Sequence, residues 1–204
     1  METLLHIDTS IYSTEGESSR LAAAFVAEWS ARHPHGAVIT RDLAVDPIPH
    51  IDAYRFRAFT SPAGQRSPEQ QAVVDDSDRL IGELKRADVI ALGLPMYNFG
   101  VPSTLKAYFD HVARAGVTFR YTEKGSEGLL TGKRAYIFAT RGGKYGSDDL
   151  EARYVRNFLG FLGIEDVRFV IAEGLALGED SKRASLAQAY EAVRALPEFM
   201  RQAA

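Results

Sequence analysis

The chain has no cysteine in its 204 residues. That excludes disulfides, thiolate zinc sites, iron–sulfur clusters and a cysteine nucleophile. It also lacks a long apolar run, and nothing approaches the roughly 18 residues of a membrane span. The opening METLLHIDTS has no basic start followed by an apolar stretch, so a signal peptide is not expected and a cytoplasmic location is. Positive charge is not in excess: 24 Lys and Arg face 27 Asp and Glu, for a net charge of −3. Neither a nucleic acid nor a membrane surface is an expected partner. No internal repeat or low-complexity tract is present.

Hydrophobic residues make up 46% and charged residues 25%, the balance of a soluble globule. The length suits one domain spanning 1–204. Five short apolar runs stand out: Leu4–Ile7, the weaker Ala37–Ile39, Val89–Leu94, Ala135–Ala139 and Val167–Ala172. Runs apolar on both faces suit buried parallel strands. Helical periods lie between them, at Ser18–Arg32, Pro68–Arg86, Pro102–Ala113 and Leu150–Leu162, and Ser181–Arg201 follows the last. Ser67-Pro68-Glu69-Gln70 reads as a capping residue, Pro at the first helical position and Gln three residues on. Pro197 is expected to end or kink the final helix. The alternation predicts a doubly wound α/β sheet of five parallel strands with helices on both faces. Asp46–Arg66 has no clear period and reads as a long excursion. Thr118–Lys133 reads as a small hairpin or a bare connection.

In such sheets ligands bind outside the carboxyl ends of the strands, so the loops there are the candidates. The first, Asp8–Ser19 (DTSIYSTEGESS), is rich in hydroxyls and runs into a helix. Hydroxyls and unpaired N–H groups at a helix start favour an anion. The same residues also fit a polar loop with Ser18 as an ordinary N-cap. It carries neither G-x-G-x-x-G nor G-x-x-x-x-G-K-[ST], which argues against a dinucleotide pyrophosphate or ATP. The second loop, Leu94–Gly100 (LPMYNFG), exposes Met96 and Phe99 where a plain connection would be polar. It fits either a planar ligand or a buried apolar turn. The third, Thr140–Gly146 (TRGGKYG), has paired glycines that allow close backbone approach or a tight turn.

The histidines form no metal spacing, and no Ser sits in G-x-S-x-G. His6 reads as packed in the first strand. With no metal, no thiol and no evident acid–base pair, an organic cofactor is expected to carry any reaction.

The chain resembles the FMN-dependent NADH azoreductases, which also reduce quinones, within the flavodoxin-like superfamily. The likeness spans essentially the whole chain. Its strongest pieces are Pro95–Phe99 (PMYNF), Leu105–Asp110 (LKAYFD), Val112–Glu123 (VARAGVTFRYTE), Glu127–Lys133 (EGLLTGK), Arg141–Gly143 and Phe158–Gly163 (FLGFLG). The resemblance implies a flavodoxin-like fold, a tightly but non-covalently bound FMN and NADH or NADPH as donor. The implied reaction is ping-pong: the nicotinamide leaves after reducing the flavin, and a quinone or an azo compound takes its place. The rival reading is a flavodoxin-type electron carrier or a flavin-binding sensor without turnover.

The resemblance also assigns residues. Ser10, Gly16, Glu17 and Ser18 would hold the phosphate, with Gly16 standing where the family usually has serine. Pro95, Met96, Tyr97, Asn98 and Phe99 would pack against the flavin ring. Thr140, Arg141, Gly142 and Gly143 would face its polar edge. Lys144 and Tyr145 stand where the family can place a histidine near the flavin O2. The family works as a homodimer, with Phe119–Tyr121 at the interface and Phe99, Tyr121 and Phe161 lining the substrate pocket. The excursion around Asp46–Arg66 would shape its mouth.

Overall fold

The computed structural model describes residues 2–147 and 149–200. Five strands form one parallel sheet: β1 (Thr3–Asp8), β2 (Ala37–Asp42), β3 (Val89–Pro95), β6 (Arg134–Thr140) and β7 (Asp166–Ala172). Their order is β2-β1-β3-β6-β7, and the separate pair β4 (Phe119–Thr122) and β5 (Gly125–Gly128) is antiparallel. The chain leaves β1 for β2 on one side and returns to β3 on the other. The strand order therefore reverses between β1 and β3.

Alternation along each strand feeds two cores. Leu4, Val89, Ala91, Tyr136 and Phe138 meet α1 (Glu17–Arg32) and α6 (Glu179–Met200) through Leu21, Phe25, Trp29 and Val193. Leu5, Ile7, Ile90, Leu92 and Ile137 face α3 (Pro68–Arg86), α4 (Ser103–Val112) and α5 (Leu150–Phe161). The three central strands are buried nearly throughout, whereas β2 alternates exposed and half-buried residues as an edge strand does. That explains why its apolar run is weak in the sequence.

The capping box at Ser67 forms as expected: Gln70 N–H donates to Ser67 Oγ, and Ser67 N–H to Gln70 Oε1 at 3.0 Å. Helix α6 continues past Pro197 rather than ending at it. The excursion is not bare chain. It holds the short helix α2 (Ala53–Thr60), capped by Asp52, whose Oδ1 accepts from Arg55 N–H at 2.7 Å. Eight residues of mixed charge and aromatics leave too little periodic signal to detect. This segment is tied down: His111 Nε2 lies 3.0 Å from Pro49 O, and the Phe59 ring meets the His111 ring edge-on. Of the two readings of Thr118–Lys133, the hairpin is the one that forms.

Candidate functional site

All three candidate loops leave the carboxyl ends of the adjacent strands β1, β3 and β6. The first loop is built so that α1 begins without a side-chain cap. Its N-cap is Gly16, and the first helical bond is Arg20 N–H to Gly16 O at 2.9 Å. The N–H groups of residues 17–19 therefore have no intrahelical partner. Ser18 and Ser19 are buried, and their hydroxyls make no hydrogen bond. A buried hydroxyl without a partner is costly, so these are the orphaned donors that an anion would satisfy. A Cβ on Gly16 would lie 2.2 Å from Ser10 Oγ and 2.5 Å from Ser10 Cβ. A serine at 16 would require the Ser10 side chain to shift. A Cβ on Gly93 would come within 3.2 Å of the Ser18 backbone, so that glycine lets the helix start settle onto β3.

Sequence reasoning missed the loop's anchors. Ser13, with φ of 50°, donates its hydroxyl to Asp42 at the end of β2. Thr9 Oγ1 donates to Gly93 O at 2.7 Å. Tyr97 reaches across from the second loop: its hydroxyl oxygen accepts from Ile11 N–H at 3.3 Å and lies 3.5 Å from Ser10 Oγ. Two cations at this helix start are already paired, Arg20 with Glu15 at 2.6 Å and Lys182 with Glu17 at 2.9 Å. The Glu17 carboxylate itself is thus turned to a cation, leaving its N–H as the group on offer.

The second loop is a tight two-residue turn. Tyr97 and Gly100 exchange both backbone bonds, at 3.0 and 3.1 Å, around Asn98 and Phe99 at φ of 51° and 66°. Positive φ at both central residues marks a type I′ turn. A phenylalanine rarely adopts it, and here it projects the ring into solvent. Pro95 pairs with Thr140 in the sheet, and Met96 N–H donates to Thr140 O at 2.9 Å. Those two residues supply the frame.

In the third loop the Arg141 side chain turns inward. Its guanidinium reaches Gly146 O at 2.5 Å and Asp149 Oδ2 at 2.6 Å, while Asp149 Oδ1 caps α5. From the far side Glu173 Oε2 accepts from the N–H groups of Tyr145 and Gly146, at 2.8 and 3.0 Å. Those bonds hold Glu173 below the usual carboxylate range. Of the two anchors only Asp149 was legible in principle, as a capping residue before a helical period. Gly142 and Gly143 N–H have no partner among the described residues. The Tyr145 ring folds over Gly143, its hydroxyl 2.7 Å from where a Cβ would stand, and meets Phe99 edge-on at 5.8 Å. Lys144 instead lays its aliphatic chain on Gly174.

Phe99 and Tyr145 are therefore brought together. Tyr121 and Phe161 form a separate group, both against Phe119 at 5.5 and 4.3 Å. Phe161 ends the helix that Leu150 begins, about 16 Å along the axis at 1.5 Å per residue. The structure thus pairs Phe99 with Tyr145, and Tyr121 and Phe161 with Phe119. His6 is buried as expected, with Nε2 3.1 Å from Asp8 Oδ1.

A family model described as having the flavodoxin-like fold matches residues 2–196. Two curated relatives, from Cellvibrio japonicus and Alcanivorax borkumensis, are each named FMN-dependent NADH:quinone oxidoreductase. They are 54% and 53% identical over 88% and 91% of this chain and 91% and 95% of their own. The chain belongs to this flavodoxin-like family. A solved FMN-dependent NADH-azoreductase from Bacillus anthracis, in complex with FMN, superposes with a TM-score of 0.88 at 29% identity, covering 98% of this chain and 99% of the other. Members of the flavodoxin-like fold hold their ligand at the switch between the first and third strands, where the orphaned donors of this chain lie. The residues present fit FMN: a small neutral cradle for a phosphate, apolar and aromatic side chains for a ring, and free N–H groups for its polar edge.

Proposed function

We propose that this chain is an FMN-dependent NADH:quinone oxidoreductase that also cleaves aromatic azo compounds, with one domain per chain and a cytoplasmic site of action. The observation carrying the reading is the set of unpartnered donors at the switch point, in a chain 54% identical to a protein of that name. Bound FMN supplies the hydride relay between nicotinamide and acceptor. The chain's part is to bind and orient. Ser10, Ser18 and the N–H groups of Glu17 and Ser18 take the phosphate end, and Gly16, whose N–H is given to Ser13 O at 3.3 Å, keeps the turn before them free of a side chain. Met96, Tyr97, Asn98 and Phe99 carry the ring. Gly142 and Gly143 offer N–H groups to its polar edge. Tyr145, folded over Gly143, is the group at the edge where relatives can hold a histidine; Lys144 is turned away.

A homodimer is part of the proposal. Tyr121 is 75% exposed on the hairpin, against Phe119. A second copy of the chain seated on the hairpin would cover Tyr121 and could complete the pocket expected of Phe99, Tyr121 and Phe161. Among the described residues no helix is long and apolar enough to cross a membrane.

The test is an absorbance scan after incubation with FMN, then steady-state rates with NADH and NADPH against a quinone and an azo dye. A protein that stays colourless sinks the reading. Flavin without NADH turnover returns it to an electron carrier or a sensor. Light scattering on the eluted protein reads the dimer.

A further inference from the structure

Beneath the paired-glycine loop, one buried arginine faces two carboxylates. Arg141 is sealed from water, and its Nη1 goes to Asp149 and Gly146. Its Nε and Nη2 make no hydrogen bond. Glu151, from the first turn of α5, is 1% exposed, and its Oε2 lies 3.6 Å from Arg141 Nε. Neither Glu151 oxygen has a hydrogen-bond partner. Asp149 is the closer anion and neutralises the guanidinium. A second ionised carboxylate would leave one net negative charge in the wall, and an uncompensated buried charge costs several kcal/mol. A proton on Glu151 removes it. Burial, with Asp149 repelling against the pull of Arg141, pushes Glu151 up to about 8.

The same residue borders an apolar groove of about 460 Å³ beside Phe99, Val101, Leu150 and Tyr154, with His50 and Lys106 also at its edge. Among the described residues, the charged and titratable groups around Glu151 include Arg141 and Asp149 beside it, and His50, Lys106 and Tyr154 along the groove. Lys144 and Glu173 brace the outer side of the loop. The polar edge of a ring held against Gly142 and Gly143 lies one residue away along the chain from Arg141.

We propose that Glu151 is a positioning residue that exchanges a proton in step with the charge of the bound cofactor, a role that rests on the flavin reading above. A hydride delivered to the cofactor adds one negative charge beside this cluster. An ionised Glu151 is then less tolerable than before, so above its resting range the carboxylate takes a proton from solvent. When the hydride equivalent passes on, the charge leaves and the proton returns to solvent. A quinone that accepts the hydride equivalent and one proton becomes the hydroquinone, so charge and hydrogen balance. Glu151 keeps the buried cluster neutral while the cofactor is reduced.

The midpoint potential of the FMN-loaded protein, followed by spectroelectrochemistry from pH 6.5 to 10, tests this. A tenfold change in proton concentration moves a one-proton, two-electron couple by about 30 mV. The wild type is expected to steepen above pH 8, toward two protons and twice that slope. Glu151→Gln keeps the shallow slope throughout. Asp149→Asn retains a capping side chain, frees Arg141 for Glu151 and moves the steep region to lower pH. A uniform slope in the loaded wild type, or steepening that survives in Glu151→Gln, overturns the proposal alone. A protein that takes no flavin overturns it together with the functional reading.

Discussion

The hairpin that carries Tyr121 is seated by glycine against glycine, and Gly128→Ala tests how hard that seat is. A Cβ at 128 would lie 2.0 Å from Gly163 N, 2.2 Å from Leu162 C and 2.5 Å from Gly163 Cα. All three are backbone atoms at the end of α5, so no rotamer change relieves them. Gly163 cannot give either, since it sits at φ of 95° and is itself 3.0 Å, Cβ position to carbon, from Gly128. The hairpin must move by more than an ångström. That strains the bond from Leu130 N–H to Leu162 O, now 2.8 Å, and loosens the Phe119–Phe161 contact. Overpacking costs about 1–3 kcal/mol and a buried carbonyl left unpaired about 1–3 more. Taking about 3 kcal/mol in all, a chain of this size loses about 6–12 °C in Tm. The assay is thermal unfolding of the flavin-free protein by circular dichroism. Gly82→Ala is the control: it lies inside α3, its Cβ would meet nothing closer than 3.8 Å, and its Tm is expected to rise by a few degrees. A Gly128→Ala Tm within 2 °C (roughly 0.5–1 kcal/mol) of wild type refutes the steric argument.

Two further outcomes follow from single side chains. Glu151 has its folded pKa raised above the unfolded value, so its contribution is full at low pH and is lost as pH rises from about 4.5 through about 8. At 1.36 kcal/mol per unit, Glu151→Gln is expected to gain roughly 4 kcal/mol on wild type between pH 4.5 and 9, read by urea unfolding at three pH values; parallel curves would refute the buried acid. Tyr97→Phe removes the acceptor that ties Ile11 to the ring segment, and losing a hydrogen bond of about 1 kcal/mol predicts a Tm lower by about 2–4 °C in the flavin-free protein, measured by circular dichroism; an unchanged Tm would refute that tie.

The sheet was legible because its central strands are buried on both faces and read as unbroken apolar runs, and α3 was legible to the residue because Ser67, Pro68 and Gln70 form a full capping box. What escaped has no local signature. Helix α2 is short and held from outside by His111, so its own pattern does not announce it. The loops were placed by the rule for strand ends, but their anchors are long-range pairs: Ser13 to Asp42, Tyr97 to Ile11, Tyr145 to Glu173. The inward turn of Arg141 illustrates the limit. Sequence and resemblance put it among the flavin contacts, but its side-chain charge is consumed by Asp149. Phe99, Tyr121 and Phe161 share one pocket by resemblance, and only three-dimensional placement shows which rings each of them meets: Tyr145 for Phe99, Phe119 for the other two.

The phosphate cradle carries a last consequence, which concerns salt. Cationic phosphate sites weaken as salt rises, because exposed charges are screened within about 10 Å at 0.1 M. Here two cations at the helix start are already taken: Arg20 by Glu15, Lys182 by Glu17. What remains is neutral and inward, the hydroxyls of Ser18 and Ser19 and the unpaired N–H groups of α1. Donors of that kind act at contact and are screened little. FMN affinity is therefore expected to fall less than about threefold between 0.05 and 0.5 M salt, by equilibrium titration. Glu17→Gln inverts the situation. It removes one negative charge at the helix start and releases Lys182, so affinity is expected to rise several-fold at low salt and to become salt-dependent. A wild type whose affinity collapses with salt would mean that Arg20 or Lys182 leaves its carboxylate to meet the phosphate, and the neutral cradle would be the wrong description of how this chain holds its anion.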